Sequence, residues 1–232
     1  MRTTEIRRMV EIEERHWWYR ERRALLAREL RRIRKVGTAL DIGAGGGGNT
    51  RVLLAHGWHA MAADYSETAV ELARERGLEA IHADAQDLPL PPMALDLVLA
   101  FDVLEHIERD DLAVREMVRV LRPGGTALIT VPCDMALWSA HDVACQHQRR
   151  YSREGLVSLL TGEGLVLDRV RSWNVLLRPV ASWRRRRCTG FDLEETPRLV
   201  DALLTAVVRT ERFLPVGSLP GVSLIVRAHR PR

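Results

Sequence analysis

The run ALDIGAGGGG, residues 39–48, constrains this chain more than any other stretch. A short apolar segment with strand character runs into a turn rich in glycine, and NTRVLLAHG after it reads as a helix. A G-x-G-x-x-G turn in that setting presents backbone to a ligand. Gly43 permits the tight turn, Gly45 lets a ligand approach the main chain, and Gly47 or Gly48 lets the helix start close to the strand. Further short apolar runs, bounded by turn residues, predict strands over 39–42, 59–63, 80–82, 95–101, 126–131, 166–171 and 223–228. Amphipathic spacing predicts helices over 49–56, 67–76, 111–121 and 153–161, and one or two more before residue 36. Strands alternating with helices mean βαβ units, hence an α/β fold with a mainly parallel sheet covered on both faces.

The ligand class follows from two carboxylates. Asp64 ends the second strand, 21 residues after Gly43, where a carboxylate accepts both hydroxyls of a ribose. Asp41 stands just before the turn and would repel the pyrophosphate of a dinucleotide. Lys35 is the only lysine, so no Tyr-x-x-x-Lys pair exists for a dinucleotide oxidoreductase. S-adenosylmethionine carries an ammonium and a sulfonium and no phosphate, so an acidic turn favours it. Its single carboxylate can face the helix N-terminus or an arginine. The alternative role for Asp41 is to cap the amides of its own turn.

Four motifs stand in order: ALDIGAGGGG, AADYS, HADAQDLPL, and DLVLAFDVLEHI followed by REMVRVLRPGGTALITVP. Over residues 39–164 they resemble the class I S-adenosylmethionine-dependent methyltransferases, in the small-molecule branch that includes the ubiquinone and menaquinone biosynthesis enzymes. The resemblance implies a Rossmann-like, doubly wound sheet of seven strands with the last antiparallel. It implies that Asp84 and Ala85 bracket the adenine, that Phe101 and Asp102 lie along the methionine part, and that Asp64 and Tyr65 of AADYS belong to the cofactor site. A fourth consecutive glycine and Ala63 before Asp64 depart from the family pattern without threatening these contacts.

Methyl transfer from a sulfonium is an in-line displacement in which placement does most of the work, with a base needed for a hydroxyl or protonated amine. Glu105 and His106 follow the fourth strand. WSAHDVACQHQRRYS, residues 138–152, follows the fifth and forms the expected acceptor wall. His141 is the first candidate base, His147 the second and His106 a third. Asp142 orients or binds a polar acceptor group, Trp138 joins the wall, and Arg150 and Tyr151 fix the loop. HWWYRERR, residues 16–23, reads as a lid, with Trp17, Trp18 and Tyr19 against cofactor or acceptor and Arg20 or Arg23 paired to an acidic group. No metal is expected, because this displacement requires no Lewis acid and the His and Glu spacing matches no metal signature.

The expected organisation is a helical lid over 1–35, a core over 36–173, a helical insertion over 174–220 and a final strand over 221–232. A formal charge of +4 is mild for a nucleic-acid binder, so DNA is not expected as a partner. RNA methylation on the same fold is one alternative, and a cofactor-binding subunit without turnover is another. Cys133, Cys145 and Cys188 are odd in number and lack C-x-x-C spacing, which fits reduced thiols in a cytoplasmic protein. Residues 175–187 set apolar side chains beside four arginines, a pattern suited to weak contact with anionic headgroups. Monomer and homodimer are both open.

Overall fold

The computed structural model describes residues 3–187, 190 and 197–232. Cys188 and the middle of the expected insertion lie outside the described residues. The elements in order are α1 (Thr3–Ile12), α2 (Trp17–Leu30), β1 (Thr38–Ile42), α3 (Gly48–Ala55), β2 (His59–Asp64), α4 (Glu67–Glu75), β3 (Ala80–His82) and β4 (Leu95–Phe101). They continue with α5 (Asp110–Val120), β5 (Leu121–Pro132), α6 (Ala140–Ala144), α7 (Arg153–Gly162), β6 (Val166–Trp173), α8 (Arg178–Arg185), α9 (Arg198–Glu211) and β7 (Ser223–His229).

The seven strands form one sheet in the order β3-β2-β1-β4-β5-β7-β6. β1 to β5 pair in parallel, whereas β7 runs antiparallel to both β5 and β6. The order reverses at β1 and β4, and at such a switch point the carboxyl ends of the strands open a crevice. Alternation along the central strands feeds two cores. Val98 and Ala100 pack with Met117 and Val114 of α5 and Leu156 and Leu160 of α7 on one face. Leu97, Leu99 and Phe101 pack with Leu26 and Leu30 of α2, Leu53 of α3 and Trp58 on the other. β5 starts at Leu121, earlier than the sequence predicts, because Leu121 pairs with Leu95 across an irregularity that the glycines at 124 and 125 follow.

A third cluster ties the N-terminal helices to the segment before β7: Leu25 meets Trp173, Leu177, Val208 and Ile225, with Trp17, Trp18 and Leu204 against it. The N-terminus of α2 is held by α9, since the Trp17 amide donates to Asp201 Oδ1 at 3.0 Å and Arg20 pairs with the same carboxylate. A negative group at that end also suits the helix dipole. Of the apolar residues in 175–187, Val175 and Leu177 are buried, while Val180 and Trp183 are exposed, with Arg187 stacked on the Trp183 ring. Arg185 turns inward to Asp142, so the face left for headgroups is smaller than the sequence suggested. No helix among the described residues is long and apolar enough to cross a membrane. Cys133 and Cys145 are free and buried.

Candidate active site

A cavity of about 1040 Å³ opens at the carboxyl ends of β1, β2 and β4, roofed by α1 and α2. At one end lies the glycine turn. Gly43 has φ +65° and a Cβ there would stand 2.5 Å from Val103, so only glycine fits without a shift. Gly45 also has positive φ, but the space its Cβ would fill is taken by Met9 of α1, not left to a ligand alone. Its amide donates to Asp64 Oδ2 at 2.9 Å and the Ser66 amide to Asp64 Oδ1 at 2.8 Å, which fixes the carboxylate at the cavity edge. Tyr65, Asp84, Ala85 and Gln86 continue that edge, with Asp84 Oδ1 accepting from the Gln86 amide at 2.9 Å.

Asp41 lies elsewhere than the sequence suggested. It is buried under the turn and stands outside the cavity lining; Thr50 Oγ1 donates to its Oδ2 at 2.7 Å and its Oδ1 has no partner. Burial pushes this carboxyl up to about 7, against the lowering effect of Thr50. A raised folded value means that the folded chain holds the extra proton, so this contribution to stability is complete below the unfolded value near ~3.9 and is lost as pH rises through 7. The urea stability of wild type relative to Asp41→Asn should therefore fall between pH 4 and 7. A difference that stays constant over that range rules Asp41 out as the source.

Phe101 and Asp102 line the middle of the cavity, and Asp102 takes φ +56°. Thr130 Oγ1 donates to Asp102 Oδ1 at 2.9 Å, and Arg22 of α2 pairs with Oδ2. The Arg22 guanidinium also lies 5.8 Å from the Tyr19 ring centroid and 5.9 Å from that of Phe101. Arg20 and Arg23 pair with acidic groups as the sequence suggested, Arg20 with Asp201 of α9 and Arg23 with Glu14, and Arg23 also donates to the Glu13 carbonyl. Arg22 and Arg23 both line the cavity, and nothing in the local pattern singles out Arg22, the one that reaches Asp102.

The far wall holds His106, His141 and His147. His147 Nδ1 lies 3.0 Å from Asp142 Oδ1, and the His106 and His147 rings meet edge to face at 4.7 Å between centroids. His141 sits with a ring nitrogen 3.6 Å from Cys145 Sγ. Burial beside His147 pushes the His106 imidazole down to about 4, which leaves it neutral at pH 7. Glu105 is fully buried with neither carboxylate oxygen partnered, and burial next to Asp102 raises its carboxyl well above the usual range.

Two expected wall residues do not reach the cavity. Asp142 is 0% exposed, and its oxygens accept from Arg150, Arg185, His147 and the Ser139 amide, so it binds the histidine and not the acceptor. Trp138 follows the 3-10 turn Met135–Leu137 and stands outside the lining. Trp17, Trp18 and Tyr19 do line the cavity, although the two tryptophans also pack into the cluster around Trp173. Arg150 and Tyr151 are anchors: Tyr151 donates to Asp110 Oδ2 at 2.6 Å and Arg150 Nη1 to the Cys133 carbonyl at 3.0 Å.

Residues 40–129 match the family model described as a methyltransferase domain. The chain is 30% identical over 155 residues to a probable S-adenosylmethionine-dependent methyltransferase of Mycobacterium tuberculosis, covering 65% of this chain and 56% of that protein. A demethylmenaquinone methyltransferase of Clavibacter sepedonicus is 38% identical over 95 residues, 39% of each chain. The chain thus spans little more than half the length of the first of these relatives and less of the second. Among solved structures, a Haloferax volcanii putative methyltransferase in complex with the Trm112 activator aligns over 97% of this chain and 94% of that one, with TM-score 0.65 and 20% identity. That last likeness speaks to the fold.

Proposed function

We propose that the chain is a class I S-adenosylmethionine-dependent methyltransferase, a reading supported by the match of residues 40–129 to a methyltransferase-domain family, and that it moves a methyl group from S-adenosylmethionine to an oxygen or nitrogen of a small molecule. The observation that carries this reading is a single cavity with two unlike ends, one of turn backbone and carboxylates, the other of histidines.

The first end fits the cofactor by its donor set. Asp64 keeps free lone pairs for two ribose hydroxyls, Asp84 and Ala85 offer an adenine edge, and Arg22 can exchange Asp102 for the cofactor's carboxylate. When bound there, S-adenosylmethionine supplies an electrophilic methyl group on a sulfonium. The chain's residues then place the acceptor and handle its proton. With Nδ1–H donated to Asp142, His147 turns the lone pair of Nε2 toward the cavity, the state a general base needs. Trp17, Trp18 and Tyr19 exclude water from above, and the roof of α1 and α2 suits a small acceptor better than a polynucleotide. A cytoplasmic location follows from this reading, since the methyl donor is a metabolite of the cell interior.

Calorimetric titration tests the cofactor half. S-adenosylmethionine should bind the wild-type chain, and Asp64→Ala should weaken it by roughly 1 to 3 kcal/mol, the scale of lost charge-assisted hydrogen bonds. Equal affinity in the variant removes Asp64 from the site, and no heat with wild type removes the reading.

A further inference from the structure

We infer that Glu105, His106 and His147 form a binding site for a divalent transition-metal ion on the acceptor wall. One donor atom from each lies within 4.8 Å of the others. A four-coordinate ion at ~2.0 to 2.1 Å from each donor needs them ~3.3 Å apart, so binding would draw the three side chains closer together. Two imidazoles and one carboxylate are the donor set of open zinc sites, which leave the fourth position to a substrate or water.

Three independent features point to a cation at this place. The first is Glu105, which is fully buried with both carboxylate oxygens unpartnered. A buried acceptor pair with nothing to accept from is costly, and a cation between it and the cavity would satisfy it. The second is the outer contacts of the histidines. His147 is steered by Asp142, itself held by Arg150 and Arg185, and the His106 ring meets the His147 ring edge to face at 4.7 Å between centroids. Metal-binding histidines characteristically give their other nitrogen to a carboxylate or carbonyl, which fixes tautomer and ring plane. The third is the tie between segments that are far apart in sequence. The Gln148 amide donates to the Glu105 carbonyl at 2.7 Å, so the 3-10 turn Leu104–His106 and the loop after α6 are clamped beside the cluster.

The inference deepens the acceptor-site reading above and rests on it only for the ion's task, which is to polarise an acceptor oxygen. Proton and ion would then compete for His147 Nε2, and the acceptor class narrows to molecules offering an oxygen donor, such as a phenol or hydroxy acid. Binding of the ion itself is independent of any turnover.

The test uses the whole chain stripped with a chelator and titrated with Co²⁺, read by its visible ligand-field absorption. One equivalent should bind with the intense spectrum of a low-coordinate site, and Zn²⁺ should displace it. Glu105→Gln and His147→Ala should each weaken Co²⁺ binding by more than about 10-fold, and Asp142→Asn by about 10- to 100-fold through loss of the outer contact. His59→Ala, exposed and outside the cavity, should leave it unchanged. Circular dichroism melts establish that each variant is folded, with His106→Gln as the replacement for any that is not. Absence of the spectrum in wild type, or its survival in folded His147→Ala, overturns the site. A separate S-adenosylmethionine titration of the same stripped chain reports on the methyltransferase reading, so each can fail alone.

Discussion

His147→Ala is expected to lower kcat by about 10²- to 10⁴-fold while leaving S-adenosylmethionine affinity unchanged. The reason is geometric. Among the three histidines of the wall, His147 has a carboxylate at hydrogen-bond distance on Nδ1, and Asp142 is held by two arginines and cannot follow the ring away from its place. His141 has a ring nitrogen 3.6 Å from the Sγ of Cys145, a thiol that burial raises to about 12 and so keeps protonated. The sequence ranked His141 ahead of His147; the contact with Asp142 is what favours testing His147 first. Turnover is read as S-adenosylhomocysteine release across a panel of phenols, hydroxy acids and amines. Loss in His141→Ala with full activity in His147→Ala would transfer the base to His141, and full activity in both would leave placement alone to drive the reaction. His106→Ala separates proton capture from action through an ion, because only the second loses rate when that donor goes.

The contrast between these residues shows what the sequence could carry. Period-2 and period-3.6 patterning, together with turn residues, located all seven strands, since a strand buried on both faces leaves a short apolar run bounded by polar punctuation. Asp64 was legible from its place at the end of β2, whereas Asp84 and Phe101 were singled out by the family resemblance; all three line the cavity. Arg22 was not legible: its task depends on α2 crossing the mouth of the sheet, a tertiary relation set by Trp18, Leu25 and α9. Asp142 was misplaced because its neighbours in space, Arg150 and Arg185, come from two segments that no periodicity links. Asp41 was read as a ligand contact from the sign of its charge, whereas its strand position buries it beneath the turn.

Asp142→Ala is expected to cost about 3 to 5 kcal/mol of folding stability, the scale for stripping one partner from a buried ion pair. Both Asp142 and Arg150 have fully buried side chains, and Arg150 Nε reaches Asp142 Oδ1 at 2.8 Å. Arg185 Nη1 lies 3.1 Å from Oδ2, and the Ser139 amide donates to the same oxygen at 2.9 Å at the start of α6. Removing the carboxylate strands the Arg150 guanidinium, whose Nη2 already lacks a partner, in a space that water does not reach. The penalty is thus mainly an uncompensated charge and less a lost contact. Asp142→Leu combined with Arg150→Met should recover much of the loss, because replacing both members of a buried pair by apolar groups is often close to neutral. Urea midpoints at pH 7 read both effects, and a single-variant cost below about 1 kcal/mol, or a double variant no better than Asp142→Ala, would contradict this account. The pH dependence has a definite sign. Burial alone would raise the Asp142 carboxyl, but the His147 hydrogen bond and the two arginines hold it well below the usual range. A depressed folded value gives stability that is complete above the unfolded value near ~3.9 and is lost as pH falls below it. The gap between wild type and Asp142→Ala should therefore be flat from pH 5 to 8 and shrink below pH 4, the opposite trend to the one set by Asp41.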